Sequence, residues 1–153
     1  MDEKFMKQAI KQAQKAAEMG EVPIGAVLVK DGKVIARGYN KREKNMSAEA
    51  HAELIAIRKA CKKENNWRLS GTTLYVTLEP CPMCAGAIIN ARIDRVVFGA
   101  PNPQSGVCGT HLNLLNMNLL NHTTEVTSGV EETACTGLMQ EFFKKIRQRN
   151  KNK

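Results

Sequence analysis

The chain has 153 residues, 42% of them hydrophobic and 25% charged, a composition that fits one globular domain over 1–153 and excludes wholesale disorder or two domains. No apolar run approaches the ~18 residues of a membrane span, and MDEKFMKQAIKQAQ carries charges where a secretory leader needs apolar residues. A cytoplasmic protein with no membrane association is expected. Net charge is +8, but six basic groups and no acid fall within Lys144 to Lys153, leaving seventeen basic against fifteen acidic residues elsewhere. The excess charge sits in a C-terminal helix end and mobile tail, residues 144–153, that attracts polyanions, nucleic acid before membrane. A plain solvated helix end is the alternative.

Phe5, Ala9, Ala13 and Ala16 recur at helical spacing and stop at Gly20, which predicts an amphipathic helix over Glu3 to Met19. Two β-rich runs, Ile24 to Lys30 and Lys33 to Tyr39, flank Asp31-Gly32, a pair suited to the positive φ of a type I′ turn, so an antiparallel hairpin follows. A helix is predicted from about Ala48 to Lys63, a strand over Thr72 to Glu79, a short helix over Cys81 to Ala91 and a strand over Arg95 to Ala100. Alternation of strand and helix implies parallel pairing here. After a Pro/Gly/Asn-rich loop come a short apolar helix around Leu112 to Met117, a strand within Thr123 to Val130 and a long helix from about Glu131. The sum is an α/β fold, a five-stranded mixed sheet with helices on both faces.

Five cysteines, an odd number, in a reducing compartment point to metal or chemistry instead of disulfides. Cys81 and Cys84 stand at i and i+3 in Pro80-Cys81-Pro82-Met83-Cys84, sharing a face of the first helical turn, where the positive helix end favours thiolate. With His51 they make a Cys₂His set suited to zinc, and three protein ligands leave a fourth position for water, as in a catalytic site. His51 and Glu53 would point about 200° apart on a helix body, so they converge only if the helix begins just before His51. Zn²⁺ with two thiolates is formally neutral and acidifies water weakly, so an adjacent base is needed. Glu53, unligated, takes that role as general base and then acid. Cys61, Cys108 and Cys135 lack ligand-like neighbours and are read as incidental thiols, and His111 and His122 as polar surface. Glu79 is read either as orienting a group beside the metal or as merely ending the strand.

H-x-E together with P-C-x-x-C is the general signature of zinc nucleobase deaminases. The chain resembles the bacterial tRNA-specific adenosine deaminases from Phe5 to about Arg149. Carrying the resemblance are Val22 to Val27, Gly38-Tyr39-Asn40, His51-Ala52-Glu53, the run Thr73 to Ala100, Gly109-Thr110 and Phe142-Phe143. The resemblance implies a homodimer of the cytidine-deaminase-like fold, a three-layer α/β/α sandwich, with one zinc ion per subunit. It also implies that the partner is a tRNA anticodon stem-loop, whose wobble adenosine, chiefly in the arginine acceptor, becomes inosine. On that pattern Asn40 bonds the flipped base or its ribose, although a hairpin-end asparagine is the plain alternative. Ala52 and Val22 to Gly25 belong to the pocket wall. Phe143 is carried as a substrate contact, with core packing as its alternative.

The chain departs from that family at Asn102, where an acid is usual, and at Gln104, where a lysine is usual. Asn102 can still meet a ribose hydroxyl, but the missing cation weakens the loop's hold on RNA. Two other functions fit the same residues: a deaminase of free guanine or cytosine, which needs no polycation, and a zinc-stabilised RNA-binding module without catalysis.

Overall fold

The computed structural model describes residues 1–152. Helix α1 (Asp2–Glu18) leads into the hairpin of β1 (Gly25–Lys30) and β2 (Lys33–Tyr39), then α2 (Ala52–Glu64), β3 (Thr72–Leu78), α3 (Pro82–Asn90), β4 (Arg95–Ala100), β5 (Glu125–Ser128) and α4 (Glu132–Lys151). The sheet order is β2-β1-β3-β4-β5, antiparallel between β2, β1 and β3 and parallel between β3, β4 and β5. Asp31 and Gly32 both take positive φ, 51° and 75°, as the hairpin turn requires. The expected five-stranded mixed sheet and α/β layering are thus present.

Alternation along the central strands fills both faces. Ala26, Leu28, Leu74, Val76, Val96 and Phe98 pack under α2 and α3, whereas Val27, Val29, Tyr75 and Val97 pack against α1 and Cys135 of α4. The second layer is tied down at its lower edge by Asp2, which accepts two bonds from the Arg95 guanidinium at 3.0 and 2.8 Å and one from the Tyr75 hydroxyl at 2.7 Å. The Arg95 contact, against the opposing effect of burial, holds the Asp2 carboxyl below its ordinary range.

Two glycines set the helix-to-sheet distance. A Cβ on Gly25 would lie 2.1 Å from the Ala9 carbonyl oxygen and 2.4 Å from the Ala13 amide nitrogen, and one on Gly38 would lie 2.5 Å from the Ala52 carbonyl oxygen. Backbone cannot give way as a side-chain tip can, so Gly25→Ala is expected to lower stability by about 3 kcal/mol. Gly137→Ala, in open space on α4, is expected to leave stability unchanged or slightly raised. Urea midpoints of the two variants check this, and equal midpoints would refute the close-packing account.

Three sequence expectations need correction. The second helix starts at Ala52 and not near Ala48, because residues 41–50 close into turns in which the Lys41 amide donates to the Ala50 carbonyl and Ser47 to Arg42. The apolar helix expected around Leu112 to Met117 is only a single 3₁₀ turn, Leu114–Asn116, and a second such turn, Leu119–Asn121, follows it. Asn113 turns its side chain onto the Leu115 amide, and Asn118, Leu120 and Asn121 take left-handed φ, so the asparagines break what the leucines would continue. The basic stretch read as a helix end and mobile tail is helix through Lys151, so the helix end extends further than expected, with a Glu141–Lys145 pair at 3.9 Å one turn apart. Its last member, Lys153, lies outside the described residues.

Candidate active site

Because β2 and β3 are both antiparallel to β1, the carboxyl ends of β2, β3 and β4 share one edge of the sheet. Asn40, Glu79 and Pro101 leave the sheet there, and the amino ends of α2 and α3 arrive at the same place. His51 is the N-cap of α2 and Cys81 the N-cap of α3, and neither side chain caps its own helix. Both turn toward one point instead. His51 Nδ1 stands 3.7 Å from Cys81 Sγ and 3.5 Å from Cys84 Sγ, and the three donor atoms all lie within 4.8 Å of one another. Pro82 occupies the first turn of α3, where its missing N–H removes no helix bond.

His51 is extended, with φ −77° and ψ 151°, and that single non-helical residue releases the angular constraint separating it from Glu53. Glu53 is buried beside the three donors. Burial, offset in part by its own backbone amide and by His51, pushes its carboxyl up to about 7, where it can both take and give a proton near neutrality. The thiols divide in the opposite sense. A hydrogen bond from Cys84, supported by His51, draws Cys81 down to about 4, while that same bond and burial push Cys84 up.

His51, Glu53 and Cys81 floor a cavity of about 670 Å³, with Cys84 buried behind them. Val22, Ile24, Asn40 and Arg42 form one wall, Pro101 to Ser105 a lip, and Thr136, Met139, Gln140 and Phe143 of α4 the far wall. Asn40 is buried, donates from Nδ2 to the Val22 carbonyl at 3.3 Å and accepts from the Arg42 amide at 3.4 Å, which leaves one N–H and one lone pair available. Phe143 is 41% exposed at the mouth, so core packing does not describe it. Ala52 is fully buried in the main core and is not in the cavity wall, since the first helical residue faces back toward the sheet.

Asn102 spends its amide inside the loop: Oδ1 accepts from the Gln104 and Ser105 amides at 3.2 and 3.1 Å, and Nδ2 donates to Ser105 Oγ at 3.0 Å. One N–H is left for any ribose. His111 Nε2 lies 2.6 Å from the Pro103 carbonyl and His122 Nε2 2.8 Å from the Ile93 carbonyl, so both histidines hold backbone. Apart from Phe143, sequence reasoning missed the α4 wall, although Thr136, Met139 and Gln140 stand at i, i+3 and i+4, with Phe143 at i+7, the spacing of one helix face. It also missed Glu21, a buried carboxylate that accepts the Glu43 and Lys44 amides at 3.1 and 2.7 Å and so fixes the 41–47 turn.

The MafB19-like deaminase family model matches residues 1–147. The tRNA-specific adenosine deaminase of Bacillus subtilis (strain 168) is 55% identical over 150 residues, covering 98% of this chain and 93% of that protein. The chain belongs to the tRNA-specific adenosine deaminase family. A solved structure from a study of A-to-I editing by tRNA:A34 deaminases at the wobble position superposes on this family member with a TM-score of 0.84 and 44% identity, covering 88% of this chain and 97% of the other. Guanine deaminase from Bacillus subtilis matches less of it, with a TM-score of 0.63 and 45% identity over 65% of this chain and 64% of the other. The three-layer cytidine-deaminase-like sandwich is therefore the fold of this adenosine deaminase family member.

Proposed function

We propose that the protein hydrolytically deaminates the wobble adenosine of a tRNA anticodon stem-loop, chiefly in the arginine acceptor, giving inosine and ammonia. The observation that carries this reading is the convergence of His51 Nδ1, Cys81 Sγ and Cys84 Sγ beside the buried Glu53 carboxylate at the floor of one cavity. The donor set fits zinc. Zinc bonds of about 2.3 Å to sulfur and about 2.0 Å to nitrogen at tetrahedral angles need S···N separations of about 3.5 Å. The separations here are 3.5 and 3.7 Å. His51, Cys81 and Cys84 would hold the ion, one per subunit, and when bound it supplies a Lewis acid that acidifies water.

Glu53 moves the protons. Its carboxylate takes one from the attacking water as a C6–O bond forms, and delivers it to N1 of the adenine. N1 keeps that proton, and Glu53 carries the second one from the added hydroxyl to the amine as the C6–N bond breaks, so water and adenosine become ammonia and inosine. Asn40 offers its remaining N–H and lone pair to the base or ribose, and the apolar side chains of Val22, Ile24 and Leu78 exclude water around the ring. Beyond Phe143, the exposed Lys144, Arg147 and Lys151, at i, i+3 and i+7, form a cationic stripe along one side of α4 for phosphates.

A homodimeric, cytoplasmic enzyme belongs to the same reading. The dimer is supported by the exposed apolar side chains of Trp67, Leu112, Met117, Leu119 and Leu120. Among the described residues no helix is long and apolar enough to cross a membrane.

The test presents an arginine tRNA stem-loop with adenosine at the wobble position, alongside guanine, cytosine and free adenosine. Inosine in the RNA is expected, and ammonia from a free base with no inosine would replace the reading by a nucleobase deaminase. Gln104→Lys is expected to tighten stem-loop binding several-fold at low salt and to steepen its salt dependence by about one phosphate contact. Unchanged affinity in a filter-binding titration would rule out the missing cation as a weakness of the lip.

A further inference from the structure

We propose that Glu79 is a positioning residue for the RNA substrate, its buried carboxylate fastening the 101–111 loop into a preformed lip of the cavity. The inference rests on the tRNA deaminase reading above and assigns part of its substrate binding. Glu79 is 1% exposed, and all the donors to its carboxylate come from that loop. Oε1 accepts the Asn102 amide at 3.1 Å together with the Thr110 hydroxyl, and Oε2 accepts the Cys108 and Thr110 amides at 2.9 and 3.0 Å. Among the described residues no cation pairs with it.

A buried carboxylate without a counter-ion is costly unless its lone pairs are filled, and four converging donors fill them. The group therefore acts as the anion at the centre of a ring of backbone amides, and the loop closes around it as such rings close around phosphate. Gly106 completes the fit. A Cβ there would fall 2.4 Å from Glu79 Cδ, so only glycine lets the loop pass over the carboxyl.

The position of the anchor along the chain gives it a functional meaning. Glu79 is two residues before Cys81, and the intervening Pro80 carbonyl accepts the Val107 amide at 3.2 Å. The lip and the metal-ligand turn are consequently held together, although the loop has no helix or strand across residues 101–111. A base entering the cavity must meet both the floor and the lip at once. Holding their separation fixed removes a loop-ordering cost from RNA binding, and leaves the proton-transfer groups untouched.

The experiment compares the full-length zinc enzyme with Glu79→Gln and Gly106→Ala. Gln turns an N–H₂ group toward amides that need an acceptor, and Ala displaces the carboxyl without changing Glu79. Deuterium exchange of the Asn102, Cys108 and Thr110 amides, zinc content, and kcat and KM on the stem-loop are measured together. Expected are full zinc content, loop exchange about tenfold faster, KM raised about tenfold and kcat within about threefold of the parent. If Glu79→Gln does not fold, Gly106→Ala carries the same expectation. The proposal is overturned if exchange is unchanged, if KM is unchanged while the parent enzyme turns over RNA, or if kcat falls in step with zinc loss. A parent enzyme that does not act on the stem-loop overturns the function reading itself, and with it the role of the lip.

Discussion

Glu53→Gln is expected to keep the fold and the zinc and to lose between about 10² and 10⁴ in kcat, the range that a positioned acid–base group contributes. Gln has the same length and fills the same buried space, so the packing around Ala52 and Ala56 is preserved. The amide cannot accept the proton that water must give up, nor return one to the ring nitrogen and the departing amine. Because the lost interaction is made only on the way to the transition state, KM for the stem-loop should scarcely move. Single-turnover kinetics with matched zinc analysis check this. A variant that deaminates at the parent rate would remove Glu53 from the mechanism, and a variant that loses zinc in proportion to activity would recast it as a ligand.

The second large effect is expected at Cys84. This thiol is fully buried, and it shares the His51 ring nitrogen with Cys81. Cys84→Ala leaves two protein donors where a closed grip needs three, so stoichiometric zinc and turnover should both be lost by at least about a hundredfold. The packing cost of deleting one sulfur is smaller, about 1–2 kcal/mol, so the protein should still fold. Chelation of the unmodified enzyme should produce the same loss, reversed by zinc and not by magnesium, because soft thiolate donors discriminate against hard ions. Fully active material containing no transition metal would contradict the assignment.

Much of this site could be read from local sequence, for a physical reason. Cys81 and Cys84 lie within one turn, Pro82 marks where that turn begins, and the strand before them ends at the sheet edge by simple counting. His51 was harder to place. Small, helix-tolerant residues at Ala48, Ala50 and Ala52 extend the helical pattern backwards, yet the turns of 41–50 are closed by Glu21, twenty-two and twenty-three residues away in sequence. The same limitation hides the lip. Glu79 reaches amides 23 to 31 residues further on, and an amide belongs to every residue but proline, so no residue type announces the pairing. Leu112 to Met117 misled in another way, since its leucines promise a helix that Asn113 turns into a single 3₁₀ turn. Along α4 the charge was obvious and the conformation was not, because a run of Lys, Arg and Asn suits a solvated helix as well as a frayed end.

The continuity of α4 through Lys151 makes that helix a ruler. Phe143 stands at the cavity mouth and Lys151 eight residues on, so the cationic end is held roughly 12 Å from the place where a base enters. A free nucleoside spans only the first mark. On the function proposed above, a folded stem-loop, with its backbone at a fixed offset from the extruded base, would touch both marks at once, and substrate size would be gauged by a length built into one rigid rod.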